Sequence, residues 1–175
     1  MIVDPKIPKS SVVVITKEAI VGNVKTRLAA TIGFSNAMHI HFEMCIHIIE
    51  FLVENHIPLV ISLDQQVSNG KIYQYCLDNT ISTTFQKEGD LGKKIGYEMS
   101  RYERSVVIGS DTPLFSISEI HTALQSAELV VGPSEDGGFW LIAMNKPHSS
   151  FFENIHWSTP QVLSQTLQNA KKLQY

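Results

Sequence analysis

The segment Ser105–Pro113 reads SVVIGSDTP and is decisive for the fold class. Val106, Val107 and Ile108 follow one another without a polar residue between them, and Ser110 and Asp111 end the run. A short β-branched run of this kind is typical of a strand that is buried on both faces, as in a parallel sheet covered by helices. The segment therefore predicts a buried strand, Ser105–Gly109, with a carboxylate at its carboxyl end.

The same pattern recurs along the chain and alternates with helical patterns. We predict five further strands, at Ser11–Thr16, Ile57–Leu63, Ile81–Phe85, Leu129–Gly132 and Gly138–Met144. Helices are predicted over Ser35–Asn55, around Ile72–Leu77, and over Asp90–Tyr102, Ser116–Ala127 and Thr159–Leu173. Strands separated by helices form βαβ units. The expected fold class is α/β, with a mostly parallel sheet covered on both faces and one domain over residues 1–175.

Composition narrows the class of protein. The chain has 175 residues, of which 43% are hydrophobic, and a net charge of −3, which argues against disorder and gives no general attraction to nucleic acid. The apolar runs are too short to span a bilayer, and no apolar leader is visible. Cys45 and Cys76 lie outside any zinc-binding spacing, which predicts buried reduced thiols. We therefore expect a soluble cytoplasmic protein with no nucleic-acid partner. The sequence does not indicate an oligomeric state.

In open α/β sheets the ligand crevice lies at the carboxyl ends of the strands. The loop after the first strand, Lys17–Leu28, reads KEAIVGNVKTRL. Gly22 permits close approach of backbone, and Lys25 and Arg27 flank Thr26 as donors for phosphate oxygens. The glycine spacing excludes a Walker A loop, and no GxGxxG is present. A solvated basic turn is the alternative.

Asp111 is the second candidate, because a charge at the tip of an apolar strand must be hydrated, paired or bound to a metal. Magnesium takes one or two carboxylates with phosphate and water oxygens, which suits this position. Pro113 is expected to stiffen the exit from the strand. The alternative is an N-cap for the next helix, although Ser116 with Glu119 forms a better capping box.

The loop after the fifth strand reads GPSEDGGFW and supplies the third candidate. Asp136 precedes Gly137 and Gly138, whose lack of side chains allows backbone to approach a ligand closely. A simple acidic turn explains the spacing equally well.

One further pattern favours a structural role. His39, Glu43 and His47 share one helix face at four-residue spacing, which could hold a metal. The stripe continues through Glu50 and Glu54, however, as a solvated face would. The opposite stripe, Ala37, Ile40, Met44, Ile48 and Phe51, is predicted to face the core.

Together these segments resemble a bacterial family of the GT-A superfamily, the radical-SAM/selenodomain-associated transferases. The family pattern has a K-x-P-x-x-G-x-x-K-T-R-L opening, a GDLG helix start, a GSDxP strand end, a PxxDGG turn and a Phe-x-x-Ile-x-Trp segment. Here these stand at Lys17–Leu28, Gly89–Gly92, Gly109–Pro113, Pro133–Phe139 and Phe152–Thr159.

The resemblance implies a nucleotide-diphospho-sugar transferase fold, a three-layer α/β/α sandwich with a Rossmann-like half. It implies that Gly22, Lys25, Thr26 and Arg27 bind nucleotide phosphates. Asp111 becomes the ligand of Mg²⁺ or Mn²⁺ and, with Asp136, a catalytic residue. Asp90, Gly137 and Gly138 are placed on the sugar or acceptor side.

The sequence departs from the family pattern at three places. Ala19 replaces the usual proline, and Lys94 replaces a common arginine, which keeps the charge but loses the bidentate fork. Family members typically continue into a D-x-D-T-P-x-D-L segment, whereas this sequence ends at Tyr175. We therefore expect a second metal-side or structural aspartate to be missing.

The predicted function is a metal-dependent transferase that uses a nucleotide or nucleotide-sugar donor, in the manner of a glycosyltransferase. Two alternatives remain open at this point. One is a nucleotidyltransferase of the same fold, and the other is a nucleotide-binding or partner-binding module without turnover. The acceptor, the sugar and the base are not indicated by the sequence.

Overall fold

The computed structural model describes residues 10–112 and 115–175, so the predicted stiffening by Pro113 lies outside the described residues. Strands and helices alternate along most of the chain. In chain order they are β1 (Ser10–Thr16), α1 (Thr26–Ile32), α2 (Phe34–Glu54), β2 (Leu59–Leu63), α3 (Lys71–Asp78), β3 (Thr83–Phe85), α4 (Leu91–Met99), β4 (Arg104–Gly109), α5 (Ile117–Gln125), β5 (Val130–Pro133), β6 (Phe139–Asn145) and α6 (Val162–Leu173).

The strands form one six-stranded sheet in the order β3-β2-β1-β4-β6-β5. The pairs β2–β3, β1–β2 and β1–β4 are parallel, whereas β6 runs antiparallel to both β4 and β5. A short turn joins β5 to β6, and a connection without a helix requires antiparallel neighbours. The prediction of an α/β fold with a mostly parallel sheet is therefore confirmed.

Strand β1 shows why the sheet needs cover on both faces. Val12, Val13 and Val14 are all 0% exposed. Successive side chains on a strand point to opposite faces, so Val12 and Val14 join one buried cluster and Val13 joins another. The first cluster contains residues of α2, α3 and α5, and the second contains residues of α4 and α6.

Helix α1 is the main departure from the sequence-based prediction, which placed only a loop before Ser35. The helix has seven residues, no side-chain cap, and Ala29 as its single buried residue. Such a segment is shorter than the 10–12 residues over which helical periodicity becomes visible. Gly33, at φ 85°, separates α1 from α2.

Helix α2 presents a slightly different face to the core from the predicted one. Ile40 is 37% exposed, so its assignment to the core was wrong, and the buried positions include Met38, His41 and Cys45. The observed core face is rotated slightly about the helix axis from the predicted one. The sequence does not distinguish the two faces well, because almost every turn of this helix has apolar residues at neighbouring positions. The predicted His39–Glu54 stripe is solvent-exposed, as expected of a solvated face.

Two smaller predictions are confirmed. Ser116 and Glu119 form a capping box at the start of α5, in which the Ser116 N–H donates to Glu119 Oε2 at 2.8 Å. Cys45 and Cys76 are free and fully buried. Burial raises the pKa of both thiols to about 12. None of the helices among residues 10–112 and 115–175 is long and apolar enough to cross a membrane.

Candidate active site

A cavity of about 650 Å³ opens where the parallel strands end, and we call it the crevice. Its walls come from the segments that follow β1, β2, β3 and β4, together with the start of α4. The lining residues are Ile15, Thr16, Lys17, Asn23, Val24, Lys25, Thr26, Arg27, His41, Asp64, Gln86, Leu91, Lys94, Gly109, Ser110, Asp111 and Ser158. Its volume is in the range of small-molecule sites, about 300–1,000 Å³.

A salt bridge in the crevice joins two of the predicted site residues. Lys25 Nζ donates to Asp111 Oδ1 at 2.8 Å, across 86 positions of sequence. The Lys25 side chain is 17% exposed and that of Asp111 is 75% exposed. The loop after β1 and the end of β4 therefore meet at one point. Thr26 and Arg27 lie beside it on the same wall.

The backbone of Lys25 is unusual. Lys25 has φ 43° and ψ 43°, a left-handed conformation, and it occupies the N-cap position of α1 without a side-chain cap. Residues with a Cβ are uncommon in this region. The conformation turns the chain sharply from the loop into α1, which places Lys25 and Arg27 on the crevice wall.

A buried carboxylate anchors the loop that carries these cations. Glu18 is 0% exposed, and its Oε1 accepts from the Ala19 N–H at 2.8 Å and the Ile72 N–H at 2.9 Å. Its Oε2 accepts from the Tyr73 N–H at 3.1 Å. Gly70 leaves room for it, since a Cβ there would lie 2.5 Å from the Glu18 carboxyl carbon. Glu18 thereby joins the start of the loop to the N-terminus of α3.

The floor of the crevice carries a small polar network. Thr16 Oγ1 donates to Ser110 Oγ at 2.8 Å, which links the ends of β1 and β4. His41 of α2 is buried, and its Nε2 lies 3.0 Å from the carbonyl oxygen of Lys17. The network fixes Ser110, and hence the position from which Asp111 leaves the strand.

Two polar side chains follow β2 and β3 at the opposite end of the crevice. Asp64 Oδ1 accepts from the Glu18 N–H at 2.7 Å. Gln86 Nε2 donates to the carbonyl oxygens of Thr16 and Ser62, both at 2.8 Å. Leu63 pairs with Phe85 in the β2–β3 register, so Asp64 and Gln86 take neighbouring positions just beyond the strands.

The third predicted segment lies at the same edge of the sheet but not among the crevice-lining residues. Asp136 is exposed and folds back on its own turn, where it accepts from Ser134 Oγ at 2.5 Å and from the Gly138 N–H at 3.0 Å. These hydrogen bonds lower the pKa of the Asp136 carboxyl. Gly137, at φ 84°, packs against the Pro160 carbonyl oxygen.

The structure separates two other candidates from the crevice wall. Asp90 is the N-cap of α4, where its side chain accepts from the Lys93 N–H at 2.8 Å, and it lines a different cavity. Gly22, at φ 90°, belongs to the loop after β1 but is not among the crevice-lining residues.

Few residues of the crevice could bind a metal ion. Within residues 10–112 and 115–175 no group of three or more His, Cys, Asp or Glu side chains is arranged to hold an ion. Asp111 has one carboxylate oxygen beyond its contact with Lys25, and Asp64 is the second carboxylate in the crevice. A hard cation here would need oxygens from phosphate and water to complete its coordination, which is how Mg²⁺ commonly binds.

Asp64, Gln86, Glu18 and His41 were missed by the sequence analysis. Asp64 and Gln86 directly follow predicted strands, so the rule that ligands bind at strand ends could have found them. Glu18 and His41 act through burial and partners distant in sequence, which no local pattern reveals.

Comparison with known proteins identifies the family to which the chain belongs. The model of the family described as "Uncharacterized protein conserved in bacteria (DUF2064)" matches residues 49–159. The chain belongs to this family. The matched part of this DUF2064 protein contains Asp64, Gln86, Asp90, Asp111 and Asp136, and begins after the loop that carries Lys25.

A solved structure shares the fold of this DUF2064 protein. It is a crystal structure described as that of a "putative nucleotide-diphospho-sugar transferase" from Desulfovibrio desulfuricans G20. The match has a TM-score of 0.84 and 23% sequence identity, and covers 95% of this chain and 77% of that chain. At this identity the likeness shows the fold alone. Among curated proteins, none matches the sequence significantly.

Proposed function

We propose that this chain is a metal-dependent transferase that uses a nucleotide-diphospho-sugar as donor and transfers the glycosyl group to an acceptor. We also propose that the fold is a three-layer α/β/α sandwich. We further propose that the chain is one of the radical-SAM/selenodomain-associated transferases, as its sequence motifs imply. The observation that carries it is the crevice at the strand ends, in which Lys25 contacts Asp111.

The charges of the crevice suit a diphosphate. Four cationic side chains line it, from Lys17, Lys25, Arg27 and Lys94, against the two carboxylates of Asp64 and Asp111. In glycosyl transfer the acceptor forms a bond to the anomeric carbon while the bond from that carbon to the diphosphate oxygen breaks. Negative charge then builds on the departing nucleoside diphosphate, where fixed cations stabilise it most effectively.

Asp111 would hold Mg²⁺ or Mn²⁺. Its exposed carboxylate is a hard oxygen ligand, and the ion would neutralise charge on the diphosphate. With Oδ1 accepting from Lys25, Oδ2 remains for the ion. In the absence of ligand, the Lys25 ammonium group and the Asp111 carboxylate pair with each other. A bound nucleotide would offer phosphate oxygens to Lys25, and Asp111 would offer a carboxylate oxygen to the ion.

Two variants separate these roles. Lys25→Ala removes a charge-assisted hydrogen bond to phosphate, so we expect UDP and GDP to bind about 10- to 100-fold more weakly with or without Mg²⁺. Asp111→Asn cannot offset the charge of the cation, so binding should weaken only when Mg²⁺ is present. Isothermal titration calorimetry in Mg²⁺ and in EDTA measures both effects.

Lys172→Ala, on the exposed surface of α6, is the matched control and should bind like the parent protein. Asp111→Asn should keep its melting temperature, because its carboxylate is largely hydrated. Equal losses for Asp111→Asn and Lys25→Ala in EDTA would contradict the metal assignment. A failure of every nucleoside diphosphate to bind the parent protein in Mg²⁺ would contradict the proposed function.

A further inference from the structure

A short series of hydrogen bonds at the floor of the crevice ends at Ser110. His41 Nε2 lies 3.0 Å from the Lys17 carbonyl oxygen, which can only accept, so Nε2 carries the hydrogen of this imidazole. His41 Nε2 therefore cannot accept from Thr16 Oγ1, which lies 3.5 Å away. The shortest contact of the Thr16 hydroxyl is to Ser110 Oγ, to which it donates at 2.8 Å.

Ser110 Oγ thus accepts one hydrogen bond and still has its own hydrogen to donate. Within residues 10–112 and 115–175, this hydroxyl donates to no protein atom. Ser110 is 5% exposed and lines the crevice. A buried donor without an acceptor is unfavourable, because it has given up its hydrogen bond to bulk water. The Ser110 hydroxyl therefore presents a donor to a ligand that fills the crevice.

The position of this donor is set by its neighbours. Ser110 directly precedes Asp111, whose Oδ1 accepts from Lys25 Nζ at 2.8 Å. The pairing of β1 with β4 ends one residue before Thr16 and Ser110, so these two side chains stand side by side at the strand ends. An anion drawn to Lys25 would meet the wall of the crevice beside Ser110. Hydrogen bonds to charged oxygens are stronger than those to neutral ones, which favours an anionic acceptor here.

We propose that Ser110 is a further binding residue of this site and donates its hydroxyl hydrogen to a phosphate oxygen of the donor diphosphate. This inference rests on the proposed function, because it requires a diphosphate in the crevice. Thr16 acts as a positioning residue, since its hydrogen bond occupies one lone pair of Ser110 Oγ and limits the rotation of that hydroxyl. A phosphate oxygen can accept from the neutral hydroxyl with or without a metal ion.

Ser110→Ala removes the donor and should leave the fold intact. The Thr16 hydroxyl keeps an acceptor in this variant, because the Lys17 carbonyl oxygen lies 3.2 Å from Thr16 Oγ1. Isothermal titration calorimetry should show UDP and GDP binding about 10- to 100-fold more weakly than to the parent protein, the usual effect of losing a hydrogen bond to a charged group. The factor should be the same for both nucleotides, which share the diphosphate, and the same in Mg²⁺ and in EDTA.

Ser105→Ala is the matched control. Ser105 is 0% exposed and lies near the opposite end of β4, and its Oγ has no hydrogen-bond partner in the described part of the chain. This variant should bind both nucleotides like the parent protein. An unchanged affinity of Ser110→Ala, with folding checked by circular dichroism, would overturn the inference and leave the proposed function standing. A loss confined to Mg²⁺ or to one base would also overturn it. No binding of any nucleoside diphosphate to the parent protein would overturn both.

Thr16→Val and Thr16→Ser test the positioning role. Valine has the shape of threonine without its hydroxyl, so the Ser110 hydroxyl would lose the partner that orients it. We expect UDP and GDP to bind Thr16→Val about 3- to 10-fold more weakly, the range of a neutral hydrogen bond. Serine keeps the hydroxyl, so Thr16→Ser should recover most of that loss. Equal affinities of Thr16→Ser and Thr16→Val would overturn the role of Thr16, because affinity would then not depend on its hydroxyl.

Discussion

Replacing Glu18 by glutamine tests how the cation-bearing loop is held. The three N–H groups that Glu18 accepts from come from its own loop and from the first turn of α3, whose leading N–H groups have no partner within the helix. The negative charge also interacts favourably with the positive end of this helix. Glutamine keeps the size of the side chain but removes the charge and replaces one carboxylate oxygen by a donor.

The expected cost follows from these contacts. The hydrogen bonds from the Ala19 and Ile72 N–H groups would lose their charged acceptor, which costs about 1 kcal/mol each. The Tyr73 N–H would face the amide donor of glutamine, which costs about 1–3 kcal/mol. We therefore expect the free energy of unfolding of Glu18→Gln to fall by about 3–5 kcal/mol. For a protein of this size that corresponds to a melting temperature lower by about 6–20 °C.

Urea unfolding followed by circular dichroism measures the change, with Glu43→Gln as control. Glu43 is an exposed carboxylate on α2, and its substitution should change stability by less than about 0.5 kcal/mol. A Glu18→Gln protein that unfolds within 0.5 kcal/mol of the parent protein, at about the same urea dependence, would refute the anchoring argument.

Two further perturbations test the turn after β5 and the core. Gly137→Ala would force a Cβ into the left-handed region and against the Pro160 carbonyl oxygen, so we expect thermal unfolding to show a loss of about 2–5 kcal/mol. Gly109→Ala, where a Cβ meets nothing within 4 Å, should cost less than about 1 kcal/mol, and equal losses would contradict this reasoning. Because burial raises the pKa of Cys45 and Cys76 from 9.0 to about 12, the unfolded chain loses these protons first and stability should fall as pH rises from about 9 to 12. A thiol reagent at pH 8 should modify neither cysteine until denaturant is added, and rapid labelling of the native protein would contradict their burial.

The sheet could be predicted from the sequence because its central strands are buried on both faces. Val12–Val14 and Val106–Ile108 are uninterrupted β-branched apolar runs, which are typical of strands buried on both faces. The antiparallel direction of β6 was not visible in its residues, since it depends on the short turn that joins it to β5. Helix α1 was missed because seven residues with one buried side chain leave no periodic signal.

The part of the candidate site that could be predicted from the sequence is the part in which a charged residue follows a predicted strand. Asp111 was found in this way, whereas Lys25 was found as a phosphate donor in the basic loop after the first strand, and the structure brings the two into contact. Asp136 follows the same sequence logic, yet its carboxylate hydrogen-bonds within its own turn. Sequence shows that a carboxylate follows a strand, but only the sheet order shows which neighbouring strand ends it faces.

The left-handed conformation of Lys25 implies a conflict between stability and ligand binding at one residue. A non-glycine residue in this region costs about 1–3 kcal/mol, which a glycine at the same position would avoid. A search for stabilised variants should therefore recover Lys25→Gly, a protein with a higher melting temperature and no ammonium group above Asp111. Thermal stability and affinity for phosphate would change in opposite directions from that single substitution, as occurs where a strained backbone serves a binding site.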